Sequence, residues 1–169
     1  MTTEYEIAPA TENDIPGILA LQDANLPERG GSLSVRESPD WFEHAIARNS
    51  LIVCRRDGRI VGYMLGTDFA EKAHVPIIKA MMINFPPPTN CYLYGPVCVA
   101  KSERGNGLAA AMFNELQTHM QGRPAMTFVR ADNELSVHVH KKMGLRSLGT
   151  FTSDEVPYVA FLYSAKAPN

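Results

Sequence analysis

The sequence predicts an α/β fold, a mixed β-sheet carrying helices on its faces, and three observations predict it. Apolar residues alternate along the chain between the period of a strand and the period of a helix. Asp57-Gly58 sits between two β-rich runs, the strongest short-range signal for a hairpin with a type I′ turn, so at least one strand pair is antiparallel. The elements then follow the order β-α-α-β-β-α-β-α-β-α-β-β, which fits helices packed on a mixed sheet. With 169 residues the chain amounts to a single domain, 1–169, able to bury about 70% of its unfolded surface.

A first strand is expected at Glu4 to Ala8. Thr11 with Asp14 three residues on opens a helix whose apolar positions are Ile15, Ile18, Leu19 and Leu21. After a polar loop at 27–38, Ser38 before Pro39 pairs an N-cap with a first-turn proline and starts a helix through Trp41, Phe42, Ala45 and Ile46. Strands Leu51 to Arg56 and Arg59 to Thr67 form the hairpin, with Arg55, Arg56 and Arg59 read as a solvated face beside its turn. A helix is expected over 70–84, ended by Pro86-Pro87-Pro88 because proline supplies no N–H. A strand follows from Tyr92 to Val99, and then a helix from Leu108 with one apolar face. A strand from Met126 to Arg130, a helix from Asn133 to Met143, and strands near 145–151 and 156–164 complete the chain.

Composition narrows the function classes. Sixteen basic against eighteen acidic side chains leave a net charge of −2, with no long run of like charge, so a nucleic-acid partner is not expected. Hydrophobic residues at 45% and charged ones at 20% describe a globular chain and not a disordered one. No apolar run is long enough for a bilayer and the first residues do not read as a leader, so the expectation is a cytoplasmic protein with no membrane partner. Cys54, Cys91 and Cys98 are three in number, lack C-x-x-C spacing and lie in apolar runs, which reads as buried reduced thiols. Cys98 alone keeps a reactive reading, because it lies beside the motif that follows.

Most of the chemistry lies between Tyr92 and Met112. There a strand leads through Arg104-Gly105-Asn106-Gly107 into the helix at Leu108. A helix start offers unpaired N–H groups and a positive dipole end, and glycines let the backbone approach an anion closely, so the turn suits a phosphate. Lys101 and Arg104 add charge there. Gly105-x-Gly107-x-x-Ala110 also satisfies the dinucleotide fingerprint, with Asp132 as the distant acid. Against that reading, Ala100 to Arg104 separate strand from glycine, too little chain follows for a doubly wound domain, and an antiparallel hairpin precedes the motif.

Arg104-x-x-Gly107-x-Ala109 resembles the Q/R-x-x-G-x-G/A acyl-coenzyme A signature of the GNAT acetyltransferase superfamily, after a strand ending Val97-Cys98-Val99. Asn133-Glu134-Leu135-Ser136, followed by His140-Lys141-Lys142-Met143-Gly144-Leu145, is similar to the family's second signature. The resemblance implies the GNAT acyltransferase fold, a mostly antiparallel mixed sheet with splayed central strands and helices on both faces. It implies acetyl-CoA as co-substrate, with the backbone of Arg104, Gly105, Asn106, Gly107, Leu108 and Ala109 at the pyrophosphate. The main chain of Val97 and Val99 is expected along the pantetheine arm, and Asn133, Ser136 and His140 on the cofactor side. Gly95-Pro96 within the strand independently favours a departure from regular pairing there.

Acetyl transfer to an amine needs a neutral amine, a held oxyanion and a proton for the leaving thiolate. A lysine-like ammonium titrates near ~10.4, so a base or a water path is required. A backbone N–H near Val97 to Val99 suits the oxyanion. No metal is expected, and the His138-x-His140 spacing sends the two rings to opposite sides of a helix. Asn133, Ser136 and His140 instead share a face, which makes His140 the candidate acid; many family members carry a Tyr at that position. Tyr94 is the candidate base, with Asp68, Glu71 and His74 as further bases. The acceptor is expected to be a small-molecule or peptide amine, bound by the loop at 27–38 and the segment at 69–90. Met81, Met82, Ile83 and Phe85 line that site, cover a homodimer contact or face the core. The competing class is an acyl-CoA-binding regulatory module without turnover.

Overall fold

The computed structural model describes residues 4–31, 33 and 36–164. Its strands are β1 Tyr5–Pro9, β2 Leu51–Arg56, β3 Arg59–Asp68, β4 Tyr92–Val99, β5 Ala125–Arg130, β6 Arg146–Ser153 and β7 Val156–Tyr163. Its α-helices are α1 Ile15–Ala24, α2 Pro39–Ala47, α3 Phe69–Lys72, α4 Pro76–Asn84, α5 Leu108–His119 and α6 Glu134–Lys142. The seven strands run in the order β1-β2-β3-β4-β5-β7-β6. The pairs β1/β2, β2/β3, β5/β7 and β6/β7 are antiparallel and β4/β5 is parallel, so the mixed, mostly antiparallel sheet expected from the sequence is present. The described residues cluster into two compact units, one running to Gly66 and including Gly95–Gln121, the other comprising Thr67–Tyr94 and the chain from Gly122 on.

In the first unit the hairpin forms as its turn residues dictate. Asp57 and Gly58 both have positive φ, at 51° and 74°, the left-handed pair that a type I′ turn requires. Ser38 caps α2 by accepting the Trp41 N–H. The core gathers Ile18, Phe42, Leu51, Val53, Tyr63 and Leu65, all fully buried, with the Phe42 ring edge-on to Tyr63 at 5.7 Å. Of the expected loop at 27–38, Ser32, Ser34 and Val35 lie outside the described residues. Leu33 is buried in the core, and the Gln22 side chain holds both the N–H and the carbonyl of Glu37.

Two arginines expected on a solvated face are instead paired. The Arg55 guanidinium donates to both Asp14 oxygens at 2.9 and 2.6 Å and to Glu6 at 3.0 Å. Arg56 donates to Glu103 at 2.7 Å. Burial would raise the Asp14 pKa, but the Arg55 guanidinium and the Thr11 N–H outweigh it and hold the carboxyl below its usual value. A carboxylate depressed in the fold contributes stability that is present above its unfolded pKa and is lost as pH falls through the folded one. Arg55→Met is therefore expected to cost about 1–3 kcal/mol at pH 7, less than the ~3–5 kcal/mol of a fully buried broken pair. Urea unfolding at pH 7 and in acid should show the gap to wild type narrowing below about pH 4.

In the second unit the helix expected over 70–84 is two helices. Val75 precedes Pro76, and the residue before a proline is driven out of the helical region; its φ of −72° and ψ of 124° are extended. Helix α3 therefore stops before Val75 and α4 restarts at Pro76. Ile78 and Met81 face the core with Leu93, Met126, Phe151 and Tyr158, while Met82 and Phe85 pack at its border. The stripe at 81–85 is thus mainly core-facing, with Ile83 left 71% exposed. Strand β4 pairs with β5 at Tyr92↔Ala125 and Leu93↔Met126, whereas β5 continues against β7 as far as Arg130↔Tyr158. The Gly95-Pro96 bond that follows in β4 is cis.

Candidate active site

The glycine turn in the first unit is built to keep backbone groups open. Gly105 and Gly107 have φ of 83° and 73°, and a Cβ at either position would meet no heavy atom within 4 Å. The positive φ, and not crowding, is what calls for glycine there. Gly107 caps α5, and the first helical bond runs from the Ala111 N–H to the Gly107 carbonyl at 3.1 Å. The N–H groups of Leu108, Ala109 and Ala110 precede that bond and have no helical acceptor, which leaves them for an anion at the positive end of the dipole.

What holds this turn was not visible in the motif. Glu103, buried, accepts the Tyr5 hydroxyl at 2.6 Å and the Arg56 guanidinium at 2.7 Å, and those two bonds depress its pKa. Its carbonyl accepts the Asn106 side-chain amide at 2.9 Å. Arg104 donates to the Val99 carbonyl at 3.2 Å and to the Asn25 side chain at 2.9 Å, and Asn25 in turn donates to the Leu21 carbonyl. The Arg104 guanidinium therefore braces the turn against the end of α1. Two of its side-chain nitrogens, expected to add charge beside a phosphate, thus bond protein neighbours. Val97 and Val99 are half-buried in β4, and the Ala100 N–H bonds the Val61 carbonyl at 2.8 Å.

The second unit gathers Tyr94, Asn133, Ser136 and His140. Asn133 caps α6 by accepting the Ser136 N–H at 3.1 Å. The Ser136 carbonyl lies 2.7 Å from His140 Nδ1, and the Ser136 hydroxyl 3.4 Å. A carbonyl can only accept, so Nδ1 carries the hydrogen and the neutral ring keeps its lone pair on Nε2. The imidazole is stacked on Tyr94 at 5.8 Å and 17° and on Phe161 at 5.4 Å and 25°. Only 4% of the residue is exposed, and burial lowers its pKa below 6.5 against the opposing pull of the Ser136 carbonyl. The resting ring is neutral at pH 7. His138 is exposed, on the other side of the helix as the spacing requires.

The other proton-handling candidates take different places. Burial pushes the Tyr94 phenol well above its usual range, so it stays protonated and offers a ring face in place of a phenolate base. Asp68 accepts Arg123 at 2.7 Å; Arg123 also donates to the Asn90 carbonyl and lies 5.6 Å over the Tyr92 ring. Glu71 is half-buried and His74 exposed. Cys98 is buried and its thiol is pushed up to about 12 by that burial, the nearby Arg104 opposing only weakly. Cys54 and Cys91 are likewise buried, each pushed up to about 11. Among the described residues no three His, Cys, Asp or Glu side chains gather as a metal site, and no helix is long and apolar enough to cross a membrane.

The chain has counterparts among known proteins. The profile of the acetyltransferase (GNAT) family matches residues 16–145. No curated protein sequence matches the chain. Among solved structures, an N-acetyltransferase from Staphylococcus aureus Mu50 is 19% identical, with a TM-score of 0.70 over 96% of this chain and 99% of that one. A Salmonella typhimurium structure solved with its cofactor acetyl-CoA is 14% identical, with a TM-score of 0.71 over 99% of both chains. A ribosomal-protein-alanine N-acetyltransferase from Brucella melitensis is 20% identical, with a TM-score of 0.68 over 94% of this chain and 99% of that one. At such identities the structural likeness concerns the fold. The family match carries the assignment: this chain belongs to the GNAT acetyltransferase family and is an acyltransferase.

Proposed function

We propose that this protein is a single acetyltransferase domain that carries out direct transfer of the acetyl group of acetyl-CoA to a primary amine of a small molecule or peptide. The observation that carries the reading is the open turn at Gly105 and Gly107, followed by the unpaired N–H groups that begin α5. In this proposal the backbone from Arg104 to Ala109 holds the coenzyme pyrophosphate, and the main chain of Val97 and Val99 pairs with the pantetheine arm. A backbone N–H of the same stretch of β4 holds the developing oxyanion. Asn133 and Ser136 order the first turn of α6 on the cofactor side, and His140 handles the proton.

Direct attack is favoured over an acyl-enzyme because Cys98 is sealed and its thiol sits near 12, so almost no thiolate exists at neutral pH. Incubation with acetyl-CoA alone should leave the intact protein mass unchanged; an acetyl adduct on the Cys98 peptide would overturn direct transfer. The activity itself is tested by free-thiol release from acetyl-CoA over a panel of amino acids, polyamines, aminoglycosides and peptides. Acetylated product with at least one amine is expected. Tight coenzyme binding without thiol release on any amine would mark a regulatory binding module instead.

A further inference from the structure

One residue at the glycine turn of the first unit behaves unlike its neighbours. From Lys101 to Gly107 every residue is exposed except Glu103, which is only 6% exposed. Two donors from the sheet reach its carboxylate, the Tyr5 hydroxyl at 2.6 Å on one oxygen and the Arg56 guanidinium at 2.7 Å on the other. Tyr5 and Arg56 are register partners across β1 and β2, so the ladder sets the two donors side by side. The fork belongs to the sheet, and the turn docks on it. The Glu103 main chain is held as well: its N–H bonds the Ala100 carbonyl at 2.9 Å and its carbonyl accepts the Asn106 side-chain amide at 2.9 Å. Just beyond, Gly105 and Gly107 combine left-handed φ with open surroundings, so packing does little to fix them.

We propose that Glu103 is a positioning residue for the coenzyme: the Tyr5–Glu103–Arg56 brace holds the backbone from Arg104 to Ala109 in the arrangement that receives the pyrophosphate. This rests on the acetyltransferase reading above and deepens its binding step. The brace and the turn both lie in the first unit. Glu103 touches neither the thioester nor the amine in this role; it acts through the main chain that follows it.

Stability alone is a poor reason for such a carboxylate. A buried ion pair often contributes no more than apolar residues of the same volume, because desolvation offsets the attraction. A carboxylate with a donor on each oxygen adds direction, since both short bonds form at one position of the turn only. A loose turn would have to be ordered when the phosphate arrives, at a cost to affinity that an ordered turn avoids. Charge fits as well. A bare carboxylate here would repel a phosphate, but the Tyr5 bond, the Arg56 bond and the positive charges of Arg56 and Arg59 hold its pKa below the usual value. Glu103 therefore stays ionised at neutral pH and keeps both donors, while the arginines offset its charge locally.

The test reads coenzyme affinity in the full chain. Glu103→Gln removes the charge and one of the two accepted bonds, and by calorimetric titration it should weaken acetyl-CoA binding about tenfold, about 1.4 kcal/mol. Tyr5→Phe removes one hydroxyl and should weaken binding about threefold with the fold retained. The double variant should bind little worse than Glu103→Gln, because both changes act on one brace. With an amine found by thiol release, KM for acetyl-CoA should rise by the same factors while kcat stays within about twofold. The preference for acetyl-CoA over S-acetylpantetheine, which lacks the pyrophosphate, should shrink in step. A role in folding alone would lower the melting temperature and leave that preference intact. Unchanged acetyl-CoA affinity in folded Tyr5→Phe and Glu103→Gln, or equal losses on the two donors, would overturn the brace while leaving acetyl transfer intact. A wild-type protein that binds acetyl-CoA no more tightly than S-acetylpantetheine would instead refute the pyrophosphate site at the turn, and the brace with it.

Discussion

Gly107→Val is expected to weaken acetyl-CoA binding by about 10²-fold, roughly 3 kcal/mol, with the fold retained. Gly107 holds φ at 73°, where a β-branched residue is strained, and relief would require the turn to open and carry the first N–H groups of α5 out of line. A Cβ there would touch no protein atom, so the loss of stability should stay near the ~1–2 kcal/mol of a left-handed non-glycine residue. The two isopropyl methyls would instead stand in the space the phosphate needs. Calorimetric titration with acetyl-CoA checks the first number and a urea melt the second. Gly107→Ala, smaller and unbranched, should fall between wild type and Val in both.

His140→Ala is expected to lower kcat by about 10²–10⁴-fold. A residue that acts on protons in the transition state affects the chemical step, so KM for acetyl-CoA should move far less than kcat, within about threefold. The pH dependence has a definite sign. The fold lowers the His140 pKa below 6.5, so the neutral ring predominates from neutral pH upward, and kcat/KM should fall only as pH drops through that depressed value. Stability follows the same direction: between the unfolded and folded pKa values the unfolded chain binds more protons, and the wild type loses stability as pH falls below about 6.5. His140→Phe, which fills the stack without titrating, should lack that loss. Melting temperatures of the two proteins at pH 7.5 and pH 5 measure it.

Where the signal was local, the sequence was readable. The Asp57-Gly58 turn, the Ser38-Pro39 start of α2, the helix beginning at Asn133 and the i, i+3, i+7 spacing of Asn133, Ser136 and His140 each depend on neighbours a few residues away, and each is present in the structure. The break between α3 and α4 was local too, since Pro76 marks it, but the apolar stripe running through it suggested one helix. Long-range pairings carried no comparable signal. Arg55 meets Asp14 across 41 positions and Tyr5 meets Glu103 across 98, so three arginines at a turn looked like a solvated face. Phe161 reached the candidate site only through the pairing of β7 with β5, which alternation alone could not register. For His140 the spacing identified the residue, but its protonation depends on burial, which lowers its pKa and which no local spacing shows.

The central claim is direct acetyl transfer to an amine, and its most direct measurement is a mass balance. The enzyme is mixed with acetyl-CoA carrying a 13C-acetyl group and with the amine panel, and free thiol, labelled amide and protein mass are followed together. The account predicts one labelled amide for each thiol released, with no label on the protein at any time. Thiol release accompanied by label on the protein, or coenzyme bound with neither thiol nor amide formed, would contradict it.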